Sequence, residues 1–327
     1  MKELIADFPV QLEEALIIGQ NYHFLSARKT FSNIVLTGLG GSGIGGSIIQ
    51  NFLGDKAAIP FIVNKDYTLP AFVGENTLVL VSSYSGNTEE TVACLQQALK
   101  AKATIVCVTS GGKVAEVARK KKVDCILLPA GMPPRACLGY SIVQVLFALQ
   151  YHKLLKGDFE KDILASIKLL KNETGAIQKS AKAIAKKLNG KIPVIYTAPN
   201  FEGVAVRFRQ QINENGKMLA WHNVIPEMNH NELVGWRDKN DNLGVVMLRN
   251  ESDYSRVQMR MDSNKKVIKK YTSTIIEIFS QGKSYWEKIF YFVHLTDWVS
   301  VYLADLHGVD ATEVKVIDSL KGELNKA

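Results

Sequence analysis

Short apolar runs alternate with helix-length segments through the first half of the chain. Because strands that are separated by helices need crossover connections, this alternation predicts a parallel sheet flanked by helices, the mark of an α/β fold. A helix is predicted over residues 141–155. The runs predicted as strands are residues 33–37, 59–64, 77–82, 104–109 and 125–128.

The second half of the chain repeats this rhythm. A long apolar segment at 285–306 is predicted as a mostly buried helix, and the polar segment 156–162 is predicted as a linker. The chain has 327 residues, enough for two domains of about 150 residues each. We therefore expect two similar α/β domains, over residues 1–155 and 163–327, each built on a mainly parallel sheet flanked by helices. The predicted strands of this half are residues 192–197, 243–248 and 274–279.

Two polar loops follow predicted strands and carry residues suited to binding a phosphate monoester. The first, 38–46, reads Gly-Leu-Gly-Gly-Ser-Gly-Ile-Gly-Gly, and the second, 82–91, reads Ser-Ser-Tyr-Ser-Gly-Asn-Thr-Glu-Glu-Thr. In a parallel sheet, helix N-termini, backbone N–H groups and small hydroxyl side chains meet at the carboxyl ends of the strands, where anions bind. Neither loop contains a basic cluster, so we expect dipoles and hydroxyl groups to hold the anion. The predicted phosphate ligands are Gly41, Ser42, Ser83, Ser85 and Thr88.

The first loop also matches the dinucleotide-binding fingerprint through Gly38, Gly40 and Gly43, which makes an NAD enzyme the main competing interpretation. That fingerprint needs an acidic residue at the end of the next strand to bind the ribose hydroxyls. Here Asn64 and Lys65 stand at that tip. An NAD enzyme would also leave the serine-rich loop without a purpose.

The loop at 82–91 has a structural interpretation as well. Ser85 or Asn87 is predicted to cap the helix that follows, with Glu89 and Glu90 in its first turn. Capping alone does not account for three hydroxyl groups on one short loop, so we expect a ligand there.

Charge and cysteine usage narrow the choice of partner and location. The chain carries a net charge of +8, but its basic residues are scattered, and the densest run, 119–122, is predicted as a solvated helix C-terminus. No zinc-finger or RNA-binding signature accompanies it, so no nucleic-acid partner is expected. The four cysteines have no Cys-x-x-Cys spacing, which favours reduced thiols in a cytosol. The charged N-terminus does not resemble a signal peptide and no apolar stretch is long enough to span a bilayer, so we expect a cytoplasmic protein without a membrane partner.

Together the two loops resemble the sugar isomerase (SIS) domain, which binds phosphosugars through a serine-rich loop after its third strand. Residues 211–217 (Gln-Ile-Asn-Glu-Asn-Gly-Lys) and 226–232 (Pro-Glu-Met-Asn-His-Asn-Glu) resemble the segments that mark the bifunctional phosphoglucose/phosphomannose isomerases. Residues 308–310 and 317–321 match the C-terminal pattern of that family, so the resemblance covers essentially the full length. It implies two SIS-type domains and an isomerase that interconverts glucose 6-phosphate and fructose 6-phosphate, and also mannose 6-phosphate, through a cis-enediol.

Aldose–ketose interconversion needs a carboxylate that removes a proton beside a carbonyl and a donor that stabilises the enediolate. The resemblance assigns the base to Glu214, in a helix of the second domain, and the enediolate donor to Arg135. It assigns opening of the sugar ring to His230, since histidine can give and take a proton near neutral pH. Lys321 is expected to assist ring opening or to hold the substrate. Thr312 is a candidate for the residue that makes room for C2 to rotate, which mannose activity requires.

Other functions stay open at this point. A non-catalytic sugar-phosphate sensor of the SIS class would bind the same ligand without using a base such as Glu214. Another aldose–ketose isomerase is a third candidate, although an enzyme for amino sugars would be expected to bring a glutaminase domain or an ammonia-handling partner. No cofactor and no metal is expected, because a zinc site would need closely spaced ligands that His222 and His230 do not provide. The resemblance also implies a homodimer in which the histidine reaches the site of the neighbouring subunit.

Overall fold

The first sheet has five parallel strands. The structure is a computed structural model of the 327-residue chain, and it describes residues 1–324. The strands are β1 (Asn33–Thr37), β2 (Phe61–Asn64), β3 (Thr77–Ser82), β4 (Thr104–Thr109) and β5 (Asp124–Leu127). They lie in the order β2-β1-β3-β4-β5, and every neighbouring pair runs parallel. All six residues of β3 are buried, as expected for a central strand with helices on both faces. The predicted parallel sheet is confirmed.

The second sheet has four strands and is also parallel throughout. Its strands are β6 (Ile192–Thr197), β7 (Trp221–Val224), β8 (Leu243–Arg249) and β9 (Thr274–Phe279). They lie in the order β7-β6-β8-β9. Strand β7 has no counterpart among the predicted strands, because this edge strand is only partly buried and its residues, Trp-His-Asn-Val, form no apolar run.

Helices connect the strands and cover both sheets. Four short 3₁₀ turns also occur within residues 1–324, at Pro134–Ala136, Pro199–Phe201, Glu227–His230 and Glu232–Gly235. The helices are α1 (Lys2–Ala6), α2 (Phe8–Gln20), α3 (Gly40–Leu53), α4 (Glu89–Lys100), α5 (Gly112–Lys121), α6 (Leu138–Tyr151), α7 (Phe159–Leu188), α8 (Glu202–Glu214), α9 (Ser255–Ile268), α10 (Tyr285–His307) and α11 (Lys315–Leu324).

Helix α7 begins inside the segment predicted as a linker. Its first turn is fixed by Asp158, whose carboxylate accepts a hydrogen bond from the backbone N–H of Lys161 at 3.1 Å. Residues 159–162 are therefore helical. Since α6 ends at Tyr151, the connection between the two helices is the segment 152–158.

One hydrophobic core joins the helices of both halves. Helix α10 packs against α7 and α8, and α2 packs against α6 and α7. The side chains of Trp286, Phe290 and Phe292 on α10 are fully buried, and each contributes about 2–3 kcal/mol through burial. A Cβ atom on Gly19 of α2 would lie 1.9 Å from the ring of Phe147 on α6, so these helices approach closely only because of that glycine. The predicted buried helix at 285–306 is confirmed.

Helices α3 and α8 pack against each other in opposite directions. Near the end of α3, the side-chain oxygen of Asn51 accepts a hydrogen bond at 2.8 Å from the backbone N–H of Gly203, at the start of α8. A Cβ atom on Gly203 would lie 3.0 Å from the Cα of Ile48, so a larger residue would force the two helices apart. The C-terminal end of α8 therefore lies beside the N-terminal end of α3, at the carboxyl edge of the first sheet.

The basic run and the cysteines agree with the predictions made from the sequence. Residues 119–122 form the last turn and the C-cap of α5, as predicted. The four cysteines are free thiols, and burial raises the pKa of Cys125 and of Cys137 to about 11, so both stay protonated at neutral pH. Within residues 1–324, no helix is both long and apolar enough to cross a membrane.

Candidate active site

The two loops predicted to bind phosphate lie side by side. Strands β1 and β3 are neighbours, so the loops that leave their carboxyl ends meet. The hydroxyl of Ser42 accepts a hydrogen bond from the backbone N–H of Tyr84 at 3.2 Å, and the hydroxyl of Ser83 donates to the hydroxyl of Thr88 at 3.2 Å. Ser85 is exposed, and its hydroxyl accepts from the backbone N–H of Asn87 at 3.3 Å. The structure thus brings the predicted hydroxyl groups to one edge of the sheet.

Two helix N-termini lie within these predicted loops: residues 40–46 of the first form the start of α3 rather than a loop, and residues 89–91 of the second form the start of α4. Leu39, the N-cap of α3, and Thr88, the N-cap of α4, make no side-chain capping hydrogen bond. The first N–H groups of a helix have no partner within the helix, and they attract anions together with the helix dipole. The arrangement therefore offers N–H groups and hydroxyls to one small anion.

Glycine is needed where this loop touches its neighbours. A Cβ atom on Gly38 would lie 2.6 Å from the carbonyl oxygen of Ser82, and one on Gly41 would lie 2.8 Å from the carbonyl oxygen of Pro134. The absence of a side chain at Gly38 lets the two loops predicted to bind phosphate lie against each other. The absence of a side chain at Gly41 lets the N-terminus of α3 lie against the turn that carries Arg135.

The capping prediction for α4 was wrong. The helix starts after Thr88, and neither Ser85 nor Asn87 caps it. The side-chain oxygen of Asn87 instead accepts a hydrogen bond at 3.0 Å from the backbone N–H of Lys113, in the first turn of α5. Asn87 therefore fixes the serine-rich loop to the next helix.

Arg135 is buried and its guanidinium is held on three sides. Its Nε donates to the side-chain oxygen of Asn215 at 2.8 Å. Its Nη2 donates to the carbonyl oxygens of Ala311 and Thr312, each at 2.8 Å. Its Nη1 lies 3.5 Å from Oε2 of Glu214. Burial lowers the pKa of Arg135 and the nearby Glu214 carboxylate opposes that shift, while a guanidinium keeps its charge in any case.

Glu214 reaches this position because it ends α8. The antiparallel packing of α3 and α8 places its carboxylate near the N-terminus of α3, where the glycine loop begins. The side chain of Glu214 is 29% exposed, so a ligand at the surface can reach it, whereas that of Arg135 is only 5% exposed. The structure therefore brings the predicted base, the predicted enediolate donor and the phosphate loops together.

A buried polar network stands behind Arg135 and was not predicted. Arg207 on α8 donates to the carbonyl oxygen of Arg135 at 3.0 Å and to the carboxylate of Asp297 on α10 at 2.6 Å. Gln211 donates to the same carboxylate at 3.0 Å, and Asn215 donates to the hydroxyl of Ser300 at 2.9 Å. Burial raises the pKa of Asp297, and Arg207 opposes that shift.

The sequence did contain a signal for this network. Polar residues recur every four positions at 207 and 211 on α8 and at 215, its C-cap, which places them on one helix face. Asp297 interrupts the apolar stretch of α10, and a carboxylate inside such a stretch needs a partner.

His230 and Lys321 are not brought to this cluster within the chain. His230 ends the turn Glu227–His230 and is exposed. Lys321 lies on α11, in which no residue is buried. The segment that carries His230 is fixed by Glu232, whose carboxylate accepts hydrogen bonds from the hydroxyl of Tyr196, from Nε1 of Trp221 at 3.2 Å and from Nδ2 of Asn223 at 2.7 Å.

A lysine links Glu214, the predicted base, to the C-terminal segment. Nζ of Lys217 donates to the carbonyl oxygen of Glu214 at 2.6 Å and to the carbonyl oxygen of Glu313. Together with the bonds from Arg135, this contact fixes the segment before α11 next to Arg135 and Glu214. Within residues 1–324, no group of three or more His, Cys, Asp or Glu side chains is close enough to hold a metal ion.

Fold and site together define this chain as an SIS-domain protein. The sequence model of the SIS domain matches residues 29–149, and that of the bacterial phospho-glucose isomerase C-terminal SIS domain matches residues 177–324. The chain belongs to the family of bifunctional phosphoglucose/phosphomannose isomerases. It is 41% identical to the member from Caldicellulosiruptor bescii, over 99% of this chain and 98% of that protein. It is 38% identical to the member from Aquifex aeolicus, over 90% of this chain and 91% of that protein.

A solved structure shares the fold. A hypothetical protein of Thermus thermophilus superposes with a TM-score of 0.77, covering 98% of this chain and 89% of that one. At 15% identity this likeness concerns the fold alone.

Proposed function

We propose that this protein interconverts glucose 6-phosphate, fructose 6-phosphate and mannose 6-phosphate through a cis-enediol, without a metal or cofactor, in the cytoplasm. The observation that carries the proposal is the approach of Nη1 of Arg135 to within 3.5 Å of Oε2 of Glu214, beside the N-terminus of α3. The family membership supports it, because the relatives are named for these two isomerase activities.

Substrate binding begins with the phosphate. The phosphate group is held at the helix N-termini by four hydroxyl groups and by the N–H groups at Gly41. The four hydroxyl groups are those of Ser42, Ser83, Ser85 and Thr88. The sugar then extends from the phosphate toward Arg135 and Glu214, so that C1 and C2 lie beside these two side chains. Binding energy at the phosphate orients the carbons that react.

Glu214 is the base of the proton transfer. Its carboxylate takes the proton from C2 of the aldose and returns it to C1, while the hydroxyl proton moves from O2 to O1. The guanidinium of Arg135 stabilises the negative charge that develops on O1 and O2. Since both aldoses lose the stereochemistry of C2 in the enediol, return of the proton to either face yields glucose or mannose 6-phosphate. Thr312 is the candidate for the residue that makes room for C2 to rotate, and the hydrogen bond that its carbonyl oxygen accepts from Arg135 supports this role.

This arrangement favours an enzyme over a sugar-phosphate sensor. A sensor would gain from the hydroxyls and helix N-termini, but it would have no use for a partly exposed carboxylate facing a buried guanidinium. The test is the product mixture from fructose 6-phosphate, followed by NMR after exhaustive chelation of metals. Formation of both aldose phosphates supports the proposal. Binding without turnover, or loss of turnover on chelation, contradicts it.

His230 and Lys321 complete the site in a homodimer. Both are exposed, and large apolar side chains close to them in sequence are exposed as well: Val234 is 80% and Val316 84% exposed. Such surfaces suit contact with a second copy of the chain. In the dimer, His230 enters the neighbouring site and moves the proton that opens the sugar ring, and Lys321 holds the substrate.

The shared site is tested with two inactive variants, Glu214→Gln and His230→Ala, which are mixed, refolded together and then assayed. A mixed dimer carries one site with both native groups, so activity should return on mixing. If the mixture stays as inactive as its parts, or if the active protein is monomeric, the shared-site proposal is wrong.

A further inference from the structure

We propose that Tyr84 is a positioning residue that sets the distance between the phosphate loop and the Arg135 turn. The inference rests on the proposed function and extends it, because it assigns a role to a residue that touches neither the sugar nor the reacting carbons. Tyr84 lies inside the serine-rich loop, between two of the phosphate ligands, yet its side chain points away from them toward the loop that follows β5.

The backbone of Tyr84 anchors the phosphate side. Its N–H donates to the hydroxyl of Ser42 at 3.2 Å, which joins the serine-rich loop to the glycine loop. Its carbonyl oxygen accepts from the backbone N–H of Ser110 at 2.9 Å and from the hydroxyl of Ser110 at 2.6 Å. The backbone of Tyr84 is therefore fixed on one side by Ser42 in α3 and on the other by Ser110, directly after β4.

The side chain of Tyr84 reaches the Arg135 side. Its hydroxyl donates to the carbonyl oxygen of Pro129 at 2.8 Å and accepts from the backbone N–H of Met132 at 3.2 Å. Tyr84 is 7% exposed, and burial raises its pKa to about 12, so the hydroxyl keeps its proton and both bonds at working pH. One hydroxyl thus closes a bridge between residues 129 and 132, three positions before Arg135.

Apart from the half-buried side chain of Met132, which packs against the core, the segment 129–132 has few other restraints. Pro129, Ala130 and Gly131 are exposed, and Gly131 has a φ of +94°, a conformation that favours glycine. Within the described part of the chain, the Tyr84 hydroxyl makes all the hydrogen bonds to backbone groups of residues 129–132. Exposed loop backbone with few restraints moves readily. The position of this loop therefore depends on Tyr84.

The consequence is a fixed distance between the serine-rich loop and Arg135. The phosphate is held by the loop that contains Tyr84, and the developing charge on O1 and O2 is held by Arg135, whose turn directly follows the segment that Tyr84 restrains. A shift of about 1 Å in that spacing is enough to cost about 100-fold in rate. Tyr84 should therefore matter for the enediolate and little for the phosphate alone.

The test compares Tyr84→Phe with Tyr140→Phe. Phenylalanine keeps the buried ring and removes only the hydroxyl. Tyr140 is the matched control, since its hydroxyl donates to the carboxylate of Glu14 and, among the described residues, forms no hydrogen bond with either loop. The dissociation constants of two probes are measured for each protein: inorganic phosphate, and arabinonate 5-phosphate, whose planar carboxylate mimics the enediolate. The kcat and KM for fructose 6-phosphate are measured alongside.

The inference predicts a split between the probes. In Tyr84→Phe, affinity for arabinonate 5-phosphate and kcat should each fall about 10- to 100-fold, while affinity for inorganic phosphate stays within about twofold. Tyr140→Phe should change none of these values. Equal losses for both probes would mean that Tyr84 only folds the phosphate loop, and no loss for either would mean that it positions nothing; each result overturns the inference.

The proposed function fails separately. If the native protein binds both probes but does not turn over fructose 6-phosphate, the isomerase proposal is wrong, whereas the ratio of the two affinities still decides the role of Tyr84. If the native protein binds neither probe, both proposals are wrong.

Discussion

Arg135 and Glu214 come from different halves of the chain, and Nη1 of the first lies 3.5 Å from Oε2 of the second. The remaining donors of Arg135 are directed elsewhere, to Asn215 and to the carbonyls of Ala311 and Thr312. The guanidinium is therefore fixed before any substrate arrives, which is the arrangement that makes electrostatic stabilisation effective.

Replacing Arg135 by lysine should lower kcat about 100-fold with a small effect on KM. An ammonium group cannot reproduce the bonds made through Nε and Nη2 while it also faces Glu214. The residues proposed to bind the phosphate lie on other segments and should stay in place. Steady-state kinetics with fructose 6-phosphate measure this, and a native-like kcat would contradict the assignment of Arg135.

Replacing Thr88 by valine should raise KM about tenfold and leave kcat nearly unchanged. The change removes one neutral donor to a charged phosphate, and a hydrogen bond to a charged group contributes about 1.5–3 kcal/mol. Thr88 makes no capping hydrogen bond that the helix would lose. Thr68→Val, at an exposed position, serves as the control. An unchanged KM would remove Thr88 from the phosphate site.

Replacing Asp297 by asparagine should destabilise the protein by about 3–5 kcal/mol, because it leaves the charge of the buried Arg207 unpaired. Urea unfolding measures the loss. The control is Glu13→Gln, which breaks an exposed ion pair with Lys171 and should cost about 1 kcal/mol or less. Equal costs for the two variants would show that the network behind Arg135 has no special role.

His294 should make the protein sensitive to acid. Burial lowers its pKa to about 4, and its Nε2 accepts a hydrogen bond from Nε1 of Trp298 at 3.3 Å. An unfolded histidine titrates near 6.5, so between these values the unfolded chain binds a proton that the folded protein excludes. The contribution is complete above pH 6.5 and is lost as the pH falls toward 4, with a total of about 3 kcal/mol.

The measurement is the free energy of unfolding from pH 7 to pH 4. In His294→Gln this part of the pH dependence should disappear, whereas in His23→Gln, a change at an exposed histidine, it should persist. If His294→Gln keeps the native slope, the acid sensitivity has another source.

Local patterns predicted the elements that position the site. Apolar runs identified the first sheet, because a buried parallel strand leaves a continuous apolar stretch in the sequence. Glycines and hydroxyls directly after β1 and β3 predicted that these two segments lie side by side, since strand ends in a parallel sheet share one edge. In these places a property of a few consecutive residues determines the structure.

Features that depend on distant partners were not predicted. Strand β7 is a half-exposed edge strand, so its sequence resembles a loop. Asn87 forms its hydrogen bond with α5 rather than with the helix that follows it, because packing between helices decided its partner. The ion pair of Arg207 with Asp297 joins two helices that are far apart in sequence. The predicted roles of Glu214 and His230 came from the resemblance to a family. No local sequence pattern would have distinguished these two residues from ordinary surface residues.

The most direct test of the account is deuterium incorporation with and without the carboxylate of Glu214. Chelator-treated native protein and the Glu214→Gln variant are incubated with fructose 6-phosphate in deuterated water, and C2 of the products is followed by NMR. We predict glucose and mannose 6-phosphates that carry deuterium at C2 for the native protein, and a rate reduced by about 1,000-fold or more for the variant. A variant that incorporates deuterium at the native rate would contradict the assignment of Glu214 as the base, and with it the central claim.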